Sequence, residues 1–240
     1  IQLDRNLSTP VNTGAEQYSH RGWMLTHFKH KKGGIQMLSY ETVEPRTLEL
    51  LKSLMQEPAF NDMRLVGGTA LALQYGHRQS IDLDFFGDLT CELENTQEIL
   101  SKYGKVTVLK ETKNIRIYVV DNIKVDFVHY SCYPWLEDVI FEDGIRLASP
   151  VDIAAMKINA IEGRGTRKDF VDVFFLLKHY SLQEILSFYK AKYPNYSDFR
   201  AMMSLTYFDD AEMQPMPKMF DKTSWAEMQK AIIEEVKLLQ

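Results

Sequence analysis

Cysteine is almost missing from this chain: Cys91 and Cys132 are its two examples in 240 residues. They lie far apart and match no zinc spacing, so the expectation is two free thiols without a role rather than a disulfide framework or a zinc centre. No run of 18 apolar residues occurs, which excludes an apolar membrane-spanning helix. The first residues also lack the charged-then-apolar layout of a signal peptide, so the reading is a soluble, cytoplasmic protein with no membrane partner. Excess positive charge is absent too. With 28 Lys and Arg against 33 Asp and Glu, the net charge is −5, and any contact with nucleic acid would need a local basic patch. Repeats and low-complexity tracts are lacking, which leaves a globular reading. The apolar content of 45% is ample for a core in one or two domains.

The stretch that organises the chain is Leu65 to Phe86. Leu65-Val66 reads as the end of a strand, broken by Gly67-Gly68, where backbone without Cβ can turn sharply and approach a ligand. Thr69 is expected to cap a helix over Ala70 to Tyr75 that stops at Gly76. Free N–H groups at that helix start suit a phosphate. The chain then reads Ile81-Asp82-Leu83-Asp84-Phe85-Phe86, an alternation that predicts a strand with Ile81, Leu83 and Phe85 on one face and Asp82 and Asp84 on the other. Two carboxylates so close repel unless a cation lies between them. Mg²⁺ is the natural choice, and because it is usually held by one or two carboxylates together with substrate phosphates, a nucleotide whose phosphates complete the coordination is implied. Taken alone, Asp-Leu-Asp is more often the wet face of an edge strand; the order of turn, helix and paired acids favours chemistry.

Residues 1–36 follow no helical or strand period and carry a basic cluster, His27 to Lys32. They read as an N-terminal extension, disordered or non-native, in preference to a basic arm for nucleic acid. Residues 37–148 then form the expected core. A helix is predicted over Pro45 to Gln56 and another within Leu89 to Tyr103, followed by strands at Val106–Leu109, Ile115–Val120 and Ile123–Val128, with a hairpin turn at Asp121-Asn122. Asp126 is a lone carboxylate in the last of these. Phe141 to Leu147 reads as one more hairpin, turning at Asp143-Gly144. Residues 149–240 are expected to be helical, with Ser149 capping a helix to Gly163, Thr166 a second, Ser181 and Ser224 in capping boxes, and a further helix over Asp198 to Phe208. The fold class is α/β (α+β), a small mixed sheet with flanking helices and a helical C-terminal half. A second constellation comprises Lys157, Arg164, Arg167, Lys168, Asp169 and Asp172. By itself it reads as a solvated cationic helix end.

The Gly-Gly turn with its small-residue helix, followed by His77-Arg78-x-Ser80-x-Asp82-x-Asp84-Phe85, resembles the first motif of the AbiEii/AbiGii-type nucleotidyltransferases. These form a branch of the DNA polymerase β-like superfamily that includes toxins of type IV toxin–antitoxin systems. Lys157-x2-Ala160-x3-Arg164-x3-Lys168-Asp169-x2-Asp172 resembles the second signature of the same family. The likeness spans about residues 60 to 180. It implies that Gly67, Gly68 and Thr69 bracket the nucleotide phosphates with help from Arg78, Ser80 and Arg164. It implies Asp82, Asp84 and Asp126 as ligands of one or two Mg²⁺ ions, Lys157 at the triphosphate, and Asp172 orienting the basic groups. The activity implied is transfer of a nucleoside monophosphate from an NTP to an acceptor, in some members the tRNA 3′ end, with an antitoxin protein as a further partner. Two departures are Gly68-Thr69 where the superfamily pattern is written Gly-Ser, and a C-terminal region shorter than that of the longer toxins. The alternatives are an antibiotic-modifying nucleotidyltransferase, which would need an acidic pocket for a cationic drug, and a non-catalytic NTP-binding or partner-binding module.

Overall fold

A computed structural model describes residues 38–239, so the expectation for residues 1–36 lies outside the described residues. The described residues form one compact unit. Its centre is a seven-stranded mixed sheet in the order β3-β4-β5-β2-β1-β7-β6 among the described residues. The strands are β1 (Met63–Val66), β2 (Leu83–Gly87), β3 (Val106–Glu111), β4 (Ile115–Val120), β5 (Ile123–His129), β6 (Ile140–Glu142) and β7 (Ile145–Leu147). Hairpin geometry explains the two ends of the sheet. Asp121 and Asn122 both take positive φ, 46° and 71°, as do Asp143 and Gly144, at 49° and 78°, and such turns match the twist of paired antiparallel strands. In the middle, β2 runs antiparallel to β1 and parallel to β5.

The helices are α1 (Pro45–Gln56), α2 (Gly67–Tyr75), α3 (Leu93–Ser101), α4 (Pro150–Gly163), α5 (Arg167–Leu177), α6 (Leu182–Lys192), α7 (Asp198–Ser204), the single turn α8 (Asp209–Glu212) and α9 (Trp225–Lys237). Side-chain caps mark several starts. Ser149 accepts from the Asp152 N–H, and Ser181 with Glu184 and Ser224 with Glu227 form complete capping boxes, as the spacing predicts. Sheet and helical half share one apolar core. Leu65, Phe85 and Phe127 of the sheet belong to the same buried cluster as Ile153 and Ile158 of α4 and Phe170 and Val173 of α5.

Four local expectations are corrected. The strand bearing the paired acids begins at Leu83 rather than Ile81, and Ile81 is 58% exposed instead of sharing the buried face of Leu83 and Phe85. Helix α2 begins at Gly67, so Thr69 lies within its first turn; its hydroxyl donates to the Asp82 carbonyl and is hydrogen-bonded to Ser80 Oγ at 2.8 Å. It ties the helix to the next segment instead of capping it. Thr166 occupies the N-cap position of α5 but its hydroxyl donates to the Asp169 carboxylate at 2.5 Å. The helix expected over Asp198 to Phe208 stops at Ser204.

Candidate active site

Two of the predicted acids lie on the sheet, and most of the cleft's basic side chains come from α4, its end and α5. In the parallel register of β2 and β5, Asp84 stands opposite Asp126, so two of the three predicted carboxylates share a face of adjacent strands. Asp82 lies just before β2 and lines the same cleft as Asp84, together with Gly67, Gly68, Arg78, Ser80, Lys157, Arg164 and Lys168. Asp126 adjoins this cleft through Asp84 without lining it. Burial and the neighbouring charges of Asp126 and Asp82 push the Asp84 carboxyl up to about 6.

Both glycines are required by contact, and Gly67 by conformation as well. Gly67 takes φ +69°, and a Cβ there would stand 2.5 Å from an Asp84 carboxylate oxygen. A Cβ on Gly68 would stand 2.1 Å from Arg78 Nη2. A chain with side chains at these places could not bring the helix start against both the acid and the guanidinium.

Behind the cleft lies a buried ionic network that spacing alone did not reveal. Asp172, fully buried, receives Arg78 in a fork, Nε to Oδ1 at 2.7 Å and Nη2 to Oδ2 at 2.8 Å. It also pairs with Lys157 Nζ at 2.6 Å and with His77 Nε2 at 2.8 Å. Asp169, three residues earlier on α5 and therefore on the same face, takes Lys157 Nζ at 2.9 Å and Arg164 Nε at 3.1 Å. Burial would raise both acids. Arg78 and Lys157 instead hold Asp172 well below the usual carboxylate range, and Lys157 and Arg164, with Thr166, bring Asp169 down to about 2. Burial likewise lowers His77 more than Asp172 raises it, which favours the neutral ring.

Two residues expected at the phosphates are held by this network. Arg78, expected as a phosphate ligand, is only 3% exposed and its fork is occupied by Asp172. Lys157, expected at the triphosphate, is buried between two carboxylates. Asp172 does gather basic groups, as the resemblance implies. His77, Asp169 and Lys168, quoted in the two motifs without an assigned role, take part as well, Lys168 and Asp169 lying one helical turn from Asp172. Lys168, about half exposed, pairs with Asp82 at 3.2 Å.

The donor set suits a hard divalent cation. Carboxylate oxygens are what Mg²⁺ takes, and Asp126 Oδ1 is buried without a hydrogen-bond partner. No three His, Cys, Asp or Glu side chains among the described residues are already gathered closely enough to hold a metal. Two of the acids are instead engaged by lysines, Asp82 by Lys168 and Asp126 by Lys124. No helix among the described residues is long and apolar enough to cross a membrane.

The chain is similar to known proteins. The chain is 38% identical over 169 residues to an uncharacterized protein of Aquifex aeolicus (strain VF5), across 68% of this chain and 82% of that one. A solved structure from H. pylori, provisionally named a nucleotidyltransferase, superposes on 82% of this chain and 95% of its own with a TM-score of 0.52 at 22% identity. That likeness is one of fold. The family model described as nucleotidyl transferase AbiEii toxin, type IV TA system, matches residues 49–239, and the chain therefore belongs to that family.

Proposed function

We propose that the protein transfers a nucleoside monophosphate from an NTP to a hydroxyl acceptor, with the tRNA 3′ end as the acceptor and a protein antitoxin as its regulator in the cell. The observation that carries this reading is the cleft in which Gly67-Gly68, the acids Asp82 and Asp84 and four cationic side chains converge, with Asp126 in register beside Asp84. Mg²⁺, when held by Asp82, Asp84 and Asp126, supplies Lewis-acid stabilisation of charge on the phosphates and lowers the pKa of the attacking hydroxyl.

The chain's own residues do the rest. Gly67 and Gly68 present the first-turn N–H groups of α2 to the phosphates, where helix polarity favours anions. Arg164, 60% exposed at its side chain, faces the nucleotide while Asp169 fixes its orientation. Arg78 and Lys157 act from the cleft wall as fixed positive charge held in place by Asp172, a preorganised field that needs no rearrangement when charge develops on the leaving pyrophosphate. Ser80 is oriented by the Thr69 hydroxyl. The acceptor oxygen forms a bond to the α-phosphorus as the bond to the β-phosphate oxygen breaks, and the hydroxyl proton passes to a carboxylate of the trio.

Incubation with Mg²⁺, each of the four α-labelled NTPs and total RNA tests the reading. A labelled tRNA-sized band that disappears with Asp82→Ala is expected. Label that never enters RNA would reject the RNA acceptor, and label independent of Asp82 would reject the site.

A further inference from the structure

Four cations line the cleft, and they are held in different ways. Arg78 and Lys157 are buried and locked to Asp172 or to Asp169 and Asp172. Arg164 reaches out from a fully buried Asp169. Lys168 is different: it stands at the start of α5, 45% exposed at its side chain, and its ammonium lies 3.2 Å from Asp82, itself 28% exposed. An exposed single-contact pair between flexible groups is held weakly, whereas buried multiply bonded pairs are not readily exchanged. Lys168 therefore has the one readily broken ion pair among these four, and it is made to an acid the proposed function assigns to a cation.

We propose that Lys168 is a displaceable counterion: it neutralises Asp82 in the empty site, yields that carboxylate when a divalent cation enters, and then serves as a ligand for the nucleotide's phosphates. Lys124 neutralises Asp126 in the same sense from β5, but it sits two residues away on one strand and is not among the cleft-lining residues. Without Lys168, Asp82 beside Asp84 would lack its direct ion pair. The inference rests on the assignment of Asp82 as a cation ligand.

The consequence is a pair of opposite effects from one substitution. In Lys168→Gln, binding of Mn²⁺ alone, read from the free-Mn²⁺ electron paramagnetic resonance signal, tightens by roughly two- to fivefold because the competing ammonium is gone. Binding of non-hydrolysable α,β-imido NTPs with Mn²⁺ present weakens by about tenfold because one charge-assisted contact is lost. Lys190→Gln, which removes a surface charge paired with Asp198 outside the cleft, changes neither. Unchanged or weaker Mn²⁺ binding in Lys168→Gln, or unchanged nucleotide binding, overturns the handover. Wild-type protein that binds no Mn²⁺ overturns the assignment of the carboxylates beneath it, a separate and recognisable result.

Discussion

Asp172 is one buried carboxylate with three partners, Arg78, Lys157 and His77. Two of these are cations that have left water, so the acid and the bases hold one another in the interior. Asp172→Asn would leave that charge uncompensated, and a loss of about 3–5 kcal/mol in unfolding free energy is expected by urea titration. Asp84 behaves in the opposite sense. Its carboxyl is crowded by burial, Asp126 and Asp82, so Asp84→Asn should stabilise the metal-free protein at pH 7, on the order of 1–3 kcal/mol. The two kinds of acid also differ with pH. Asp84 is raised from 3.8 to about 6: its contribution to stability is present below the ordinary value and is lost as pH rises through about 6. Asp169 is lowered to about 2: its contribution is present above the ordinary value and is lost as pH falls through about 2. The stability difference between wild type and Asp84→Asn should therefore shrink as pH falls from 6 to 4, while that for Asp169→Asn shrinks only below pH 4. Urea midpoints across this range check both.

At the scale of elements, α2 shows what the sequence could and could not disclose. Its stop at Gly76, in the left-handed conformation with φ +67°, follows from composition. Its start does not. Thr69 looks like a cap by residue type, yet its hydroxyl is drawn to Ser80 and the Asp82 carbonyl, a long-range contact that no local pattern encodes. Ile81 fails for a related reason: alternation continues through it, but pairing with β1 begins only with the Asp84–Val66 partners, so nothing covers its side chain. Where the signal was local, as in the capping boxes and the two positive-φ hairpin turns, it was readable. Gly67→Ala tests the helix start. The positive φ alone costs about 1–2 kcal/mol, and the contact with Asp84 adds to it, so both stability and nucleotide transfer should fall. At a helix remote from the acids, Ser224→Ala should cost only about 1 kcal/mol through the lost cap, with transfer unchanged; thermal unfolding and a labelled-NTP assay distinguish the two.

Across the whole molecule, the site is built where two halves of the sequence meet. Asp84 and Asp126 come from the sheet and Asp82 from the residue before β2, whereas Lys157, Lys168, Asp169 and Asp172 come from α4 and α5 and Arg164 from the end of α4. The acids were legible because a strand and its neighbours announce themselves by alternation. The bases looked like a solvated helix end because burial of Lys157 and Asp172 depends on β2, α2 and α5 packing together, which emerges only in three dimensions. The proposed function joins the two sets in one account: acids for cations, positive charge for phosphates, and a buried network behind them. The most direct measurement is α-labelled NTP incorporation by wild type and Asp84→Asn at pH 7 with Mg²⁺, with the unfolding temperature of each metal-free preparation recorded beside it. The account predicts that Asp84→Asn loses incorporation while unfolding at a higher temperature; undiminished incorporation by that variant would contradict it.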